Sequence, residues 1–181
     1  MESKQETLRL WHADGKEHRI VVCFAANDCH AILEARYDTG TVGVEHGAYI
    51  ARWRASYEHP NQYDKGHAQL GDGRIDIEVE ALRGIGLGSL LMRPFVSWVK
   101  SHAQDVPMVP INLAADDAKT GQERDIRNQF YVKLGYRFEF KDADYTWGES
   151  RPMLSLGLIT PPFRLSRGWR VESVDGAGEV F

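Results

Sequence analysis

Long hydrophobic runs are missing from this chain, and no apolar stretch approaches the roughly 20 residues that a membrane-crossing helix requires. Cysteine is nearly absent too, with only Cys23 and Cys29 in 181 residues. That excludes a disulfide-stapled secreted scaffold. No Cys/His spacing of the zinc-site kind occurs either, so no metal is expected. Positive charge is not in excess: the formal net charge is −4, which gives nucleic acid no bulk electrostatic attraction. The local basic cluster Arg164, Arg167 and Arg170 reads as solvated surface. Internal repeats, low-complexity tracts and linkers are lacking, and Met1 to Leu10 is polar with no apolar stretch of signal-peptide type. One domain over residues 1–159, a C-terminal extension of the same domain over residues 160–181, and a cytoplasmic address without membrane contact are expected.

What is present reads first as strands. Leu8 to Trp11 and Ile20 to Phe24 alternate in the strand manner, with Asp14-Gly15-Lys16 as the turn between them. Asn27-Asp28 reads as the cap of a short helix through about Tyr37. Val42 to Tyr57 is rich in β-branched and aromatic residues and suggests a strand bending near Gly47. His59 to Gly73 reads as a polar loop. Arg74 to Glu80 then alternates strictly, so Ile75, Ile77 and Val79 share one face and Asp76, Glu78 and Glu80 the other.

A glycine-rich turn follows, and then a helix from about Leu87 to Ala103. Leu87, Leu90, Leu91, Phe95, Trp98 and Val99 form its apolar stripe, and Pro94 predicts a kink. Val109 to Ala115 reads as a strand and Arg124 to Leu134 as a second helix, ended by Gly135 in the left-handed conformation that glycine enters freely. Tyr136 to Phe140 and Met153 to Leu156 supply closing strands. The tail from Thr160 has no clear periodicity.

The turn carries the chemistry. Arg83-Gly84-Ile85-Gly86-Leu87-Gly88-Ser89 lies between a strand and a helix, where glycines let the backbone gather several N–H groups at the positive end of a helix dipole. Such a place suits phosphate. A P-loop would need Gly-Lys-Ser/Thr where Gly88-Ser89-Leu90 stands. A dinucleotide fingerprint would need different glycine spacing and an earlier position in the chain. A tight turn that binds nothing remains the rival.

Arg83 to Gly88 also matches the R/Q-x-x-G-x-G/A signature of the GNAT superfamily of acetyltransferases. Further on, Phe130-Tyr131-Val132-Lys133-Leu134-Gly135-Tyr136 is similar to that family's second signature, a helix running into a strand. Over roughly residues 40 to 158 the chain resembles a GNAT-superfamily N-acetyltransferase. The resemblance implies an α+β fold with a central mixed, mostly antiparallel sheet splayed between two parallel strands, Ile75 to Glu80 and Val109 to Ala115, and helices on both faces. It implies acetyl-CoA as cofactor, with pantetheine pairing to backbone around Val79 and Ala81. The diphosphate would sit on the amides of Gly84, Ile85, Gly86, Gly88 and Ser89, with Arg83 as the side chain touching phosphate. The departure Val79-Glu80-Ala81-Leu82-Arg83, which lacks the family's proline, leaves the pairing residues open.

The implied reaction is transfer of an acetyl group to a primary amine by direct attack in a ternary complex. Tyr131 stands where the family places its general acid; packing is the competing role. Glu78 and Glu80 are the candidate bases, or a solvated strand face. Arg124 and Asn128 share a helical face with Tyr131 and are candidate cofactor contacts, or merely exposed. For the acceptor, Trp53, Tyr57, His59, Tyr63 and His67 offer either an aromatic pocket or strand packing beside a loop. A small-molecule or protein amine is the expected partner, an aminoacyl-tRNA acceptor and a homodimer both stay open, and a non-catalytic protein binding a partner through the tail is the other reading.

Overall fold

The computed structural model describes residues 1–40, 43–71, 75–117, 119–174, 176 and 181. Four long strands open the chain: β1 (Glu2–His12), β2 (Glu17–Ala26), β3 (His30–Gly40) and β4 (Tyr49–Glu58), followed by the short β5 (His67–Leu70). Neighbours in this series pair antiparallel. Period-2 alternation sends Leu8, Leu10, Ile20, Val22, Leu33 and Trp53 into the core, while Arg19, Arg52 and Arg54 face water. The first turn forms as expected, with the Lys16 N–H donating to the Asp14 carboxylate at 3.1 Å.

Helix α1 (Leu87–Ser101) packs on the apolar side of this sheet and buries Leu87, Leu90, Leu91, Met92, Pro94, Phe95, Val96 and Val99. Each large apolar side chain so buried contributes about 1.5–3 kcal/mol. Phe95 meets Phe24 of β2 edge-on at 5.4 Å. Pro94 lies inside a helix that runs uninterrupted.

The second half contains β6 (Asn112–Leu113), α2 (Gly121–Lys133), β7 (Phe138–Phe140), β8 (Gly148–Ser150) and β9 (Trp169–Ser173). Thr120 and Glu123 form a capping box at the start of α2. Gly135, at φ 103°, closes its other end in the conformation expected. The strands assemble into a six-stranded sheet, β5-β4-β3-β2-β1-β9, and a three-stranded one, β6-β8-β7.

This arrangement corrects the expected fold. Both sheets are antiparallel throughout. Among the described residues the parallel contact is a single bridge, Ala68 to Met108, and there are two α-helices rather than helices on both faces.

Several local expectations change with it. The helix expected from Asn27 to Tyr37 is strand β3. The Asn27 side-chain oxygen accepts from the N–H groups of Cys29 and His30 at 2.9 and 2.8 Å, which is cap chemistry used to close a hairpin. The strand expected over Ile75 to Glu80 makes no ladder. Its Glu78 N–H reaches the Ile50 carbonyl at 2.8 Å, and Glu80–Leu82 curls into a 3-10 turn. Of Val109 to Ala115, Asn112 and Leu113 alone are strand; Ser155–Gly157 is a 3-10 turn rather than part of a strand. The tail is not irregular throughout, because β9 pairs with β1. Expectations touching Thr41, Val42, Asp72, Gly73 and Arg74 lie outside the described residues. Among the described residues no helix is long and apolar enough to cross a membrane, and no group of three His, Cys, Asp or Glu is placed to hold a metal.

Candidate functional site

The glycine turn has two left-handed residues in close succession. Gly84 and Gly86 sit at φ 72° and 91°, where a side chain would be strained. Gly86 is the N-cap of α1, and no side chain caps the helix. The consecutive N–H groups of Gly84, Ile85, Gly86, Leu87, Gly88 and Ser89 donate to nothing among the described residues. A helix start leaves about four donors open; here the open run extends two residues further back. No acidic residue occupies the first turn of α1, so nothing within the helix offsets its positive end.

The cation beside this turn is not the expected one. Arg83 donates through Nε to the Ile77 carbonyl at 2.6 Å and through Nη2 to the Glu78 carbonyl at 3.3 Å. Its guanidinium therefore braces the approach to the turn instead of facing phosphate. Arg167 lies over Gly84 instead: a Cβ built on that glycine would sit 3.3 Å from its Nη1. Ser166 covers Gly86, and its N–H donates to the Ile85 carbonyl at 2.8 Å. Arg167 is exposed, as its reading as solvated surface expects, and it also reaches this turn. The one sequence trace of that contact was the Arg164, Arg167, Arg170 spacing.

Below the turn, Phe130 and Trp53 meet Gly88, at 3.7 and 3.9 Å from where its Cβ would stand. The Trp53 indole N–H donates to the Asp76 carbonyl at 3.3 Å. Trp53 is therefore a buried strut linking β4, the Ile75 to Glu80 segment and α1, rather than a wall of an acceptor pocket.

Tyr131 follows Phe130 on α2, with 5.0 Å between ring centroids, and touches Tyr136 and Phe138 edge-on at 6.1 Å. Burial pushes its phenol above the usual range, the nearby Asp117 and Asp76 carboxylates add to this, and Arg127 opposes it. The hydroxyl is consequently a proton holder throughout the neutral range, which is the state a general acid needs.

Arg127 organises this end of α2. It donates to the carbonyls of Ala114 at 2.6 Å and Thr146 at 2.8 Å, and to Asn128 at 3.1 Å. Asn128 in turn donates to the Tyr145 carbonyl at 3.0 Å. Arg124 pairs with Asp125 at 3.3 Å. Arg124 and Asn128 are thus engaged locally rather than turned toward the glycine turn.

Glu78 and Glu80 are exposed and flank the buried Val79, whereas Ile75, Asp76 and Ile77 are all partly buried, so the predicted alternation holds over the last three residues alone. Val79 N–H has no partner among the described residues. Ala81 is exposed in the middle of the 3-10 turn. The other expected acceptor residues gather elsewhere. Tyr57 stacks on His102 with 3.8 Å between centroids, and His59 lies 5.0 Å from Tyr57. This cluster is at the far end of α1, about 20 Å along the helix from Gly88. Tyr63 is exposed, and His67 pairs with Glu58 at 3.4 Å.

Compared with protein-family models, curated proteins and solved structures, the chain matches none.

Proposed function

We propose that the protein is an acyl-coenzyme A-dependent N-acetyltransferase acting on a primary amine by direct attack in a ternary complex. The observation that carries this reading is the run of unpartnered N–H groups from Gly84 to Ser89 at the uncapped start of α1, an arrangement that suits a diphosphate. The two sequence signatures, around Gly84 and around Tyr131, point to the same chemistry.

In the proposed reaction a neutral amine attacks the thioester carbonyl carbon, the C–S bond breaks, and the thiolate takes the Tyr131 hydroxyl proton. The Val79 N–H is the donor assigned to the oxyanion. The amine proton leaves through water toward Glu78 or Glu80, whose exposed carboxylates border the same segment. A reducing, cytoplasmic setting belongs to this reading, since Cys23 and Cys29 are free thiols.

The test is release of free thiol from acetyl-CoA across a panel of small amines and peptide amines. Amine-dependent release with an acetylated product supports the reading. Absence of release with every amine, at millimolar cofactor, overturns it in favour of a non-catalytic binding protein.

A further inference from the structure

A cleft of about 300 Å³ opens where the segment around Leu165 passes the edge strand β9. It is lined by Trp11, Arg164 and Arg170 together with Trp169, whose indole turns to the other face of the sheet and stacks on His18 at 5.2 Å. Trp11 and Arg170 stand opposite each other across the β1–β9 ladder, so their side chains leave the same face. The neighbouring Arg9 lies over one face of the Trp11 ring, 5.4 Å from its centroid, and is already neutralised by Glu17 at 2.8 Å and Glu172 at 3.1 Å, which leaves the other face of the indole for a ligand ring. Arg164 and Arg170 have no carboxylate within ion-pair distance among the described residues.

Two guanidinium groups without an ion-pair partner among the described residues, in a cleft that Trp11 also lines and in a chain of net charge −4, select a ligand that joins a flat ring to an anion. The cleft is also tied to the glycine turn by covalent chain. Ser166 and Arg167 rest on Gly86 and Gly84. Extended backbone covers at most about 3.6 Å per residue, so Arg164 lies within about 7 Å of Ser166, and Arg170 within about 11 Å of Arg167, measured along the chain.

We infer that this cleft receives the 3′-phosphoadenosine end of coenzyme A, with adenine against the indole of Trp11 and the 3′-phosphate between Arg164 and Arg170. The inference rests on the reading of the turn as the diphosphate site and extends it to the part of the chain that the two signatures do not cover.

The experiment is calorimetric titration of the full chain, and of the double variant Arg164→Ala, Arg170→Ala, with coenzyme A and with dephospho-coenzyme A. Both arginines are exposed, and circular dichroism checks that the variant is folded. The unaltered protein is expected to prefer coenzyme A about tenfold or more, the loss of a charge-assisted contact being of that order. The double variant should bind the two ligands within about twofold of each other, at the affinity the unaltered protein has for dephospho-coenzyme A. A variant that keeps the preference, or an unaltered protein that shows none, overturns the cleft assignment while leaving the turn reading intact. Binding of neither ligand overturns both.

Discussion

The amide of Ser166 donates to the carbonyl of Ile85 at 2.8 Å, which clips the C-terminal segment onto the middle of the glycine turn. Through that one bond the sheet edge, carrying β9, is linked to the start of α1. Gly86 lies beneath the clip, with Ser166 Oγ 3.2 Å from where a Cβ would stand.

Gly86→Ala should therefore destabilise the fold through both its positive φ and the contact with Ser166. A non-glycine residue in the left-handed region costs about 1–2 kcal/mol, corresponding to a fall in Tm of about 2–8 °C for a chain of this size. Thermal melts check it, and an unchanged Tm would mean that the turn relaxes freely.

Tyr131→Phe should lower kcat by about tenfold to a thousandfold while leaving acetyl-CoA affinity nearly unchanged, because the variant removes a proton donor and keeps the ring. Steady-state kinetics with parallel titration separate the two effects. Full turnover in this variant would return Tyr131 to a packing role.

Tyr136 gives a pH-dependent prediction. Its hydroxyl is buried with no hydrogen-bond partner among the described residues, and burial raises its phenol well above the ordinary value of 10.0. The folded state thus favours the neutral phenol. That contribution is present below about pH 10 and is lost as pH rises toward the raised folded value. Tyr136→Phe should leave stability unchanged or raise it by about 1 kcal/mol near neutrality, and should flatten the alkaline decline. Urea melts at about pH 8 and about pH 11 measure both; a loss above about 1 kcal/mol at the lower pH would reveal a partner for the hydroxyl.

Arg127→Lys should fail to restore what Arg127 does. One ammonium cannot reach Ala114, Thr146 and Asn128 together as the planar fork does. The expected cost is about 2–3 kcal/mol for the lost charge-assisted bonds, read from urea denaturation. A near-neutral result would show that the Asp142 to Trp147 loop holds itself in place.

Legibility from sequence followed the range of the interactions involved. The α1 stripe, the Gly135 cap and the first hairpin depend on neighbours a few residues apart, and each formed where the pattern put it. Asn27 misled because a side-chain oxygen facing two following amides looks the same before a helix and in a tight hairpin. The buried alternation of Ala31, Leu33, Ala35 and Tyr37 was the signal that decided for a strand. Ile75 to Glu80 alternates in sequence yet forms no ladder, and the carbonyls of Ile77 and Glu78 accept from the Arg83 side chain instead. Strand β9 depends on β1 at the other end of the chain, a pairing that no local pattern carries. For the same reason Arg167 could not be assigned to the turn from its own neighbourhood.

The proposed chemistry requires the unpartnered amides of Gly84 to Ser89 to hold the diphosphate of acetyl-CoA. Calorimetric titration of acetyl-CoA into the unaltered protein and into Gly86→Asp measures this. Saturable binding to the former, abolished by a carboxylate set among those donors in a variant that still melts cooperatively, is the outcome the account requires. No heat at millimolar acetyl-CoA, or equal affinity in a folded Gly86→Asp protein, would contradict it.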